Sequence, residues 1–242
     1  MPAVAAQNRD IAYVLHTRPY RETSLLATLF ARESGRFSAV ARASRNARGG
    51  NPVRPFARLH VSWVGKTDLK TLRTVEIARP SPVLAGERLF VGLYLNELVT
   101  RLLHEGESHQ VLFDRYDRTL EYLAGAHALE PMLRIFELSL LEDLGYGLRL
   151  DIDCLTGAPV VADGRYRLIP GEGVTAVEND DDGAAFSGEH LLAIAVGRLD
   201  GLAVLRSAKR LTRLALTPYL GDKPLASRDL FRGKGPDMRS TL

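Results

Sequence analysis

The sequence predicts an α+β protein, in which an all-β N-terminal part precedes an α-helical part. In the first eighty residues, short apolar and β-branched runs are separated by turn residues, a pattern typical of strands in a small barrel. After Pro80 and Pro82 the apolar residues recur every three or four positions, which is typical of helices. The change of period at these prolines predicts two domains, one over 1–80 and one over 81–242.

Five strands are predicted in the first domain. The fourth shows the pattern most clearly, because Leu59, Val61 and Trp63 alternate with polar residues and so define one buried face. Five strands in about eighty residues match the OB-fold, a small five-stranded β-barrel, and an SH3-like barrel fits the count almost as well. The predicted strands are Ile11–Thr17, Ser24–Ala31, Arg36–Ala43, Arg58–Val64 and Lys70–Ala78.

The second domain is predicted to be built from helices around an irregular insert. The third helix is apolar nearly all round, which predicts a central position and makes Leu138→Asp an unfolding substitution. The insert at about 151–186 is rich in Gly and Asp, with a short hairpin around Tyr166–Ile169. The predicted helices are Glu87–His104, Ser108–Ala124, Pro131–Gly145, Ser187–Arg198, Arg206–Leu220 and Leu225–Phe231.

Charge is distributed unevenly along the chain. Residues 1–80 carry 14 lysines and arginines against 5 acids, whereas residues 81–197 carry 8 against 20. Residues 198–242 are basic again, with 10 against 4. A basic domain of this kind favours a polyanionic partner, because cations that neutralise phosphates release counterions. A solvated arginine-rich surface is the alternative interpretation.

Other features bound the cellular setting and the chemistry. No signal peptide or long apolar run is visible, and the single cysteine, Cys154, has no partner for a disulfide, so we expect a cytoplasmic protein. The motifs of nucleotide, hydrolase and zinc-protease sites are absent from the sequence, and the six histidines lack ligand spacing. We therefore expect no catalysis and no cofactor; an enzyme using Asp151, Asp153 or His190 is the least favoured alternative.

Arginines in loops and at strand ends are the candidates for contacts with a polynucleotide backbone. The guanidinium group suits this role because its planar fork pairs with phosphate oxygens and also stacks on bases. A second candidate is a helical stripe with spacing i, i+3, i+4 and i+7, which places four cations on one face. The candidates are Arg18, Arg21, Arg36, Arg42, Arg45, Arg48, Arg54 and Arg58 in the first domain, and Arg206, Lys209, Arg210 and Arg213 on the stripe.

Four aromatic residues of the first domain are candidates for stacking on bases. They are Tyr20, Phe37, Phe56 and Trp63. Phe37 and Trp63 lie in alternating strands, where a small barrel needs bulky core residues, so a core position is favoured for these two.

Ordered segments of the chain resemble one protein family over nearly the full length. The segments are VLHTRPYRETSLLATLFARESGRFSAVARASR, LYLNELV, FELSLLEDLGYGLRLDIDC and GDKPLASRDL, of which the third is the most specific. In their order and spacing they resemble the bacterial RecO recombination mediators. The resemblance implies an N-terminal OB-fold and an α-helical C-terminal domain.

The same resemblance implies a function and partners. Family members bind single- and double-stranded DNA, anneal complementary strands and, with a RecR partner, help load recombinase onto DNA coated by single-strand-binding protein. They also bind the acidic tail of single-strand-binding protein, for which this chain offers Leu98, Leu102, Arg134 and Leu138. A nucleoid-associated protein without a membrane partner is implied. The charge and the barrel are equally compatible with an OB-fold that binds RNA.

One departure from the family concerns zinc. Many relatives carry four cysteines where this chain has Cys154 alone. The segment offers no three replacement ligands, so we predict a zinc-free insert in which Cys154 is a small buried apolar residue.

Overall fold

The computed structural model describes residues 8–42, 51–65, 68–178, 183–227 and 230. The chain forms two compact units, one made of Met1–Ala126 with Leu225–Leu242 and the other of His127–Pro224. None of the helices in the described residues is both long and apolar enough to cross a membrane.

Five strands of the first unit close into a barrel. They are β1 (Asn8–Tyr20), β2 (Ser24–Ala31), β3 (Gly35–Arg42), β4 (Arg58–Val64) and β5 (Leu69–Arg79). Their order around the barrel is β1-β2-β3-β5-β4, and every pair is antiparallel except β3 with β5, which is parallel. This arrangement confirms the predicted five-stranded OB-like barrel.

The barrel is filled by the inward residues of all five strands. Leu59, Val61 and Trp63 are buried as their alternation predicts, and the Trp63 ring packs on Phe37 at 4.6 Å between centroids. Ser62 departs from the alternation because it is buried although it faces outward. Its hydroxyl lies 2.6 Å from the hydroxyl of Thr74 on β5, so the polar group is hydrogen-bonded.

Two helices of the first unit cover part of the outer barrel wall. They are α1 (Gly86–Leu102) and α2 (Gln110–Ala124). Phe113 of α2 packs against Tyr13 and Phe30, with ring centroids 5.5 and 5.4 Å apart. On α1, the amide of Asn96 donates to the carbonyl of Leu15 at 2.8 Å, which ties this helix to β1. Both helices belong to the same compact unit as the barrel. The predicted domain boundary near residue 80 stays a prediction.

The first position of β3 requires glycine for two reasons. Gly35 has φ +66°, and a Cβ there would lie 1.8 Å from the carbonyl oxygen of Glu107. We expect Gly35→Ala to lower the free energy of unfolding by more than about 2 kcal/mol, because the left-handed backbone alone costs a residue with a Cβ about 1–2 kcal/mol. Chemical denaturation measures this loss.

Gly106 is a matched control for this prediction. Its φ is +81° and a Cβ there meets nothing within 4 Å. Gly106→Ala should therefore lower the free energy of unfolding by only the cost of the left-handed backbone, about 1 kcal/mol. Equal losses in the two variants would show that the close approach to Glu107 has no energetic consequence.

The second unit combines three helices with a small sheet. The helices are α3 (Leu129–Asp143), α4 (Gly188–Ala195) and α5 (Leu202–Leu220), and the strands are β6 (Arg165–Ile169), β7 (Gly173–Ala176) and β8 (Phe186–Ser187). The sheet has the order β7-β6-β8, and its β6–β7 pair confirms the predicted hairpin. The expectation of an otherwise irregular insert was wrong at its end, where β8 pairs with β6.

Burial on α3 differs from the expected pattern. Phe136 and Leu140 are fully buried, but Ile135 is exposed and Leu138 is only partly buried. The prediction of a central helix surrounded by others is therefore wrong at Ile135, and Leu138, expected to be buried, is only partly so. The predicted helix Leu225–Phe231 falls partly outside the described residues.

The chain returns to the first unit after α5. Leu225 and Ser227 are buried there, and the carboxylate of Glu97 on α1 accepts hydrogen bonds from the backbone N–H groups of Ala226 and Ser227, each at 2.9 Å. The hydroxyl of Ser227 donates to the same carboxylate at 2.6 Å. Two segments that carry the family resemblance, LYLNELV and GDKPLASRDL, therefore meet in the fold.

Candidate nucleic-acid interface

Residues on the outer wall of the barrel lie in rows set by the strand register. One row joins Tyr20, Ser24 and Arg42 across β1, β2 and β3, and the next joins Arg18, Leu26 and Val40 and continues to Thr71 on β5. Residues directly opposite each other in a sheet point to the same face. Arg18 and Arg42 therefore project from the same outer face, two positions apart along the strands.

The same face is covered at its other end. There Phe30 lies opposite Arg36, and Phe30 is fully buried against Phe113 of α2. The outer wall of β1, β2 and β3 thus has a half covered by helices and an open half that carries Arg18 and Arg42.

Four barrel arginines are held by carboxylates of the first unit; we call them the paired arginines. Arg32 donates to both oxygens of Asp114 at 3.0 and 3.1 Å, and this bond lowers the pKa of the carboxyl group. Arg79 pairs with Asp117 and Glu121 of α2. The other two are Arg36, 2.9 Å from Glu105, and Arg58, 3.3 Å from Asp117.

Six other barrel arginines are exposed and have no carboxylate partner among the described residues; we call them the open arginines. Arg21 lies in the β1–β2 turn with φ +53°, and its guanidinium carbon is 5.2 Å from the Tyr20 ring centroid. Arg54 follows the buried residue Val53. The set is Arg9, Arg18, Arg21, Arg42, Arg54 and Arg73.

The structure divides the candidate arginines of the first domain. Arg18, Arg21, Arg42 and Arg54 belong to the open set, whereas the side chains of Arg36 and Arg58 are mostly buried in ion pairs. Arg45 and Arg48 lie outside the described residues. Arg9 and Arg73 were missed by sequence reasoning, although the alternation along β5 between apolar Leu72 and its neighbours signals an outward position for Arg73.

The predicted stacking aromatics are mostly core residues. Phe37, Phe56 and Trp63 are all buried. Phe56 has φ +68°, and its ring packs so closely on Gly92 that a Cβ at that glycine would lie 2.9 Å from the ring. Tyr20 is half-buried at the end of β1. Of the four aromatic residues predicted to stack on bases, Tyr20 is therefore the one that is partly exposed at the candidate interface.

The cationic stripe on α5 is only partly exposed. Arg210 donates to the carbonyl of Ala185 at 2.6 Å and lies over the Phe186 ring at 3.9 Å, so it is engaged within the second unit. Lys209 bonds to Glu130 at 2.8 Å. Arg206 and Arg213 are exposed, with no acidic partner in the described residues.

The four residues predicted to bind a partner's tail belong to different units. Leu98 and Leu102 are buried on α1 in the first unit, and Leu138 is partly buried on α3 in the second. Arg134 is buried on α3, where its guanidinium lies 2.8 Å from Glu137 and donates to the hydroxyl of Thr212 at 3.1 Å. The assignment of these residues to tail binding stays a prediction.

A buried carboxylate organises the segment where many relatives carry zinc ligands. Asp153 accepts bonds from the N–H groups of Leu155 at 2.9 Å, Thr156 at 3.0 Å and Ala176 at 2.7 Å. These donors, with that of Ala176 contributing most, lower the pKa of Asp153 to about 2. Cys154 is partly exposed, so the prediction that it is a buried residue was wrong, and its partial burial raises the pKa of its thiol.

The low pKa of Asp153 predicts acid sensitivity of the second unit. Because the pKa is about 2 in the folded chain and ordinarily 3.8, this carboxylate stabilises the fold fully above about pH 4, and this stabilisation is lost progressively as the pH falls through 2. Asp153→Asn should lower the thermal midpoint by several degrees at pH 7, and the difference should shrink steadily as the pH falls from 4 to 2, where about half of the Asp153 carboxyl groups are protonated. Thermal unfolding followed from pH 7 to 2 measures it.

Asp163→Asn is the control, since Asp163 is exposed. It should leave the midpoint nearly unchanged at every pH. A deficit of Asp153→Asn that is undiminished at pH 2 would contradict a role for the ionised carboxylate.

Comparison with known proteins places the chain in a family. The model described as "Recombination protein O N terminal" matches residues 6–81, and "Recombination protein O C terminal" matches residues 84–229. A protein named DNA repair protein RecO from Stutzerimonas stutzeri is 47% identical over 220 residues, covering 91% of this chain and 92% of the relative. This chain belongs to the RecO family.

Other RecO proteins show similar likeness. That of Pseudomonas paraeruginosa is 44% identical over 222 residues, which covers 92% of this chain and 94% of the relative. That of Laribacter hongkongensis is 45% identical over 225 residues, which covers 91% and 92%. The family assignment confirms the resemblance found in the sequence and makes this chain a DNA repair protein of the RecO family.

Proposed function

We propose that this chain is a non-catalytic mediator of recombinational DNA repair that holds single-stranded DNA across the open half of its barrel. The observation that carries the proposal is the sorting of the barrel arginines. The paired arginines are neutralised by carboxylates, whereas Arg18 and Arg42 share one exposed face and lack such partners among the described residues. A continuous exposed cationic face is what a phosphate backbone requires.

The proposed track runs across the outer ends of β1, β2 and β3. Arg21 and Tyr20 lie at one edge, Arg42 at the other, and Arg18 in the adjacent row. Arg45 and Arg48 follow β3 in the chain, and we propose that they extend the track, together with Arg54. Arg36 and Arg58 have a smaller share, because a phosphate would have to compete with Glu105 and Asp117 for them.

We also propose the finer activities that the family implies. These are binding of duplex DNA, annealing of complementary strands, and loading of recombinase together with RecR onto DNA coated by single-strand-binding protein. On this proposal the protein acts at the nucleoid in the cytoplasm, Arg206, Lys209, Arg210 and Arg213 offer a second cationic surface, and Leu98, Leu102, Arg134 and Leu138 receive the acidic tail. Arg206 and Arg213 are the exposed members of that second surface.

The deciding experiment is annealing of complementary oligonucleotides coated by the cognate single-strand-binding protein. We expect annealing that increases with protein concentration and falls as salt rises, since phosphates are being neutralised. Naked oligonucleotides give the DNA-only reference, and a coating protein that lacks its acidic tail isolates the tail interaction. Annealing that is absent on both substrates would overturn the proposal, and preferential binding of RNA in competition would favour the RNA-binding alternative.

A further inference from the structure

The wall of the barrel opens where β3 and β5 part. The parallel pairing between them covers three residue pairs, from Ser38 with Leu69 to Val40 with Thr71. Beyond Val40, β3 continues in register with β2 alone to Arg42, while β5 continues in register with β4. The two strands therefore diverge and leave a wedge-shaped cleft of about 550 Å³ on the outer wall.

The floor of the cleft is apolar because it reaches the barrel core. Val53 and Leu72 are members of that core, and Val75 packs against it. Val40 contributes a half-buried side chain from the β3 wall. The volume is within the range of about 300–1,000 Å³ that is usual for small-ligand sites.

The rim of the cleft is cationic and polar. Arg42 and Arg73 come from the two diverging strands and both line the opening, so their positive charges flank one apolar floor. Asn51 lies beside them, and its Oδ1 accepts the backbone N–H of Val53 at 2.9 Å. The Nδ2 group of Asn51 has no acceptor among the described residues and is oriented by that bond as a donor.

This combination matches one unit of a single strand. A nucleobase supplies a flat apolar face for the floor and carbonyl or ring-nitrogen acceptors for the Asn51 amide, and its phosphate supplies the anion for the two guanidinium groups. The cleft is also continuous with the proposed track, since Arg42 belongs to both and Ser24 of the same row lines the cleft.

We infer that the cleft between β3 and β5 receives one unstacked nucleotide, with its base against Val53 and Leu72 and its phosphate between Arg42 and Arg73. The inference rests on the proposed function and adds a reason for strand preference. Bases in a duplex are stacked and paired, so they cannot enter the cleft without an unstacking cost. Single strands are thereby favoured over duplexes by a site that needs no particular base.

The test compares a thymidine oligonucleotide with an abasic oligonucleotide of equal length and charge. We expect the unaltered protein to bind the thymidine strand about tenfold more tightly, which is the change in affinity that the loss of one base contact produces. Thr71→Leu places a neutral, bulkier side chain at the exposed edge of the cleft and should bring the two affinities together. Its affinity for duplex DNA should not change. Ser24→Leu fills the cleft from β2 and gives a second, independent variant.

The outcomes separate the cleft from the wider proposal. If the unaltered protein binds both strands with equal affinity, the inference that the cleft receives a nucleotide is wrong, whereas the proposed track of arginines for the phosphate backbone still stands. Binding of neither strand would overturn both. A base preference that persists in both filled variants, or competition for the cleft by an acidic peptide ending in phenylalanine, would likewise overturn assignment of the cleft to a nucleotide.

Discussion

Replacing Arg18 and Arg42 together by glutamate is expected to lower the affinity for single-stranded DNA by about 100-fold. On the proposed function, each arginine would form a charge-assisted contact with a phosphate that contributes about 1.5 kcal/mol, and about 1.4 kcal/mol corresponds to a factor of ten. Both side chains are exposed and have no carboxylate partner among the described residues, so the fold does not depend on them. The thermal midpoint should therefore be nearly unchanged.

Salt titration gives the sharper measurement of this variant. For single strands, the slope of log K against log salt changes by about 0.7 for each phosphate contact, so losing two contacts should reduce it by about 1.4. Fluorescence anisotropy of a labelled oligonucleotide at several salt concentrations provides both the affinity and the slope.

Arg115→Glu with Arg118→Glu is the matched control. These two arginines are exposed on α2, away from the strand rows that carry Arg18 and Arg42, and their reversal changes the net charge by the same amount. The control should lose far less affinity than the barrel variant. Equal losses would mean that overall charge, rather than the open half of the barrel, determines DNA binding.

Removing the carboxylate of Glu137 is expected to destabilise the second unit by about 3–5 kcal/mol. The side chains of Arg134 and Glu137 are 6% and 2% exposed and lie 2.8 Å apart, and Thr212 bonds to both. Glu137→Ala would leave the buried guanidinium without its buried counter-charge, with only the exposed carboxylate of Glu130 remaining 3.7 Å away among the described residues, and this is the costly way to break a buried pair. Denaturant unfolding followed by far-ultraviolet circular dichroism measures the loss.

Glu130 supplies the control for this pair. Its carboxylate is 3.7 Å from Arg134 but 47% exposed, so Glu130→Ala should cost no more than about 1 kcal/mol. Similar stability losses for the two variants would contradict the importance of burial. The same geometry affects the proposed tail site, because Arg134→Ala should destabilise the unit as well as weaken tail binding.

The local pattern of apolar and polar residues was sufficient to predict the barrel strands and most of the helices. Alternation of Leu59, Val61 and Trp63 predicted both a strand and its buried face, because a pleated strand turns successive side chains to opposite sides. The parallel β3–β5 pair was not readable in this way. It joins strands distant in sequence, and only this pairing distinguishes the OB-like barrel from other five-stranded barrels and creates the cleft beside Arg73.

The sequence by itself determined that the N-terminal domain is basic, β-stranded and similar to the RecO family, since composition, periodicity and ordered motifs are local properties. Only the tertiary structure decided which arginines remain open. Arg32 meets Asp114 across 82 positions, and Arg36 meets Glu105 across 69. Ion pairs over such separations arise when a helix, or the segment that follows it, docks on the barrel, so no spacing rule along the chain can distinguish Arg36 from Arg42.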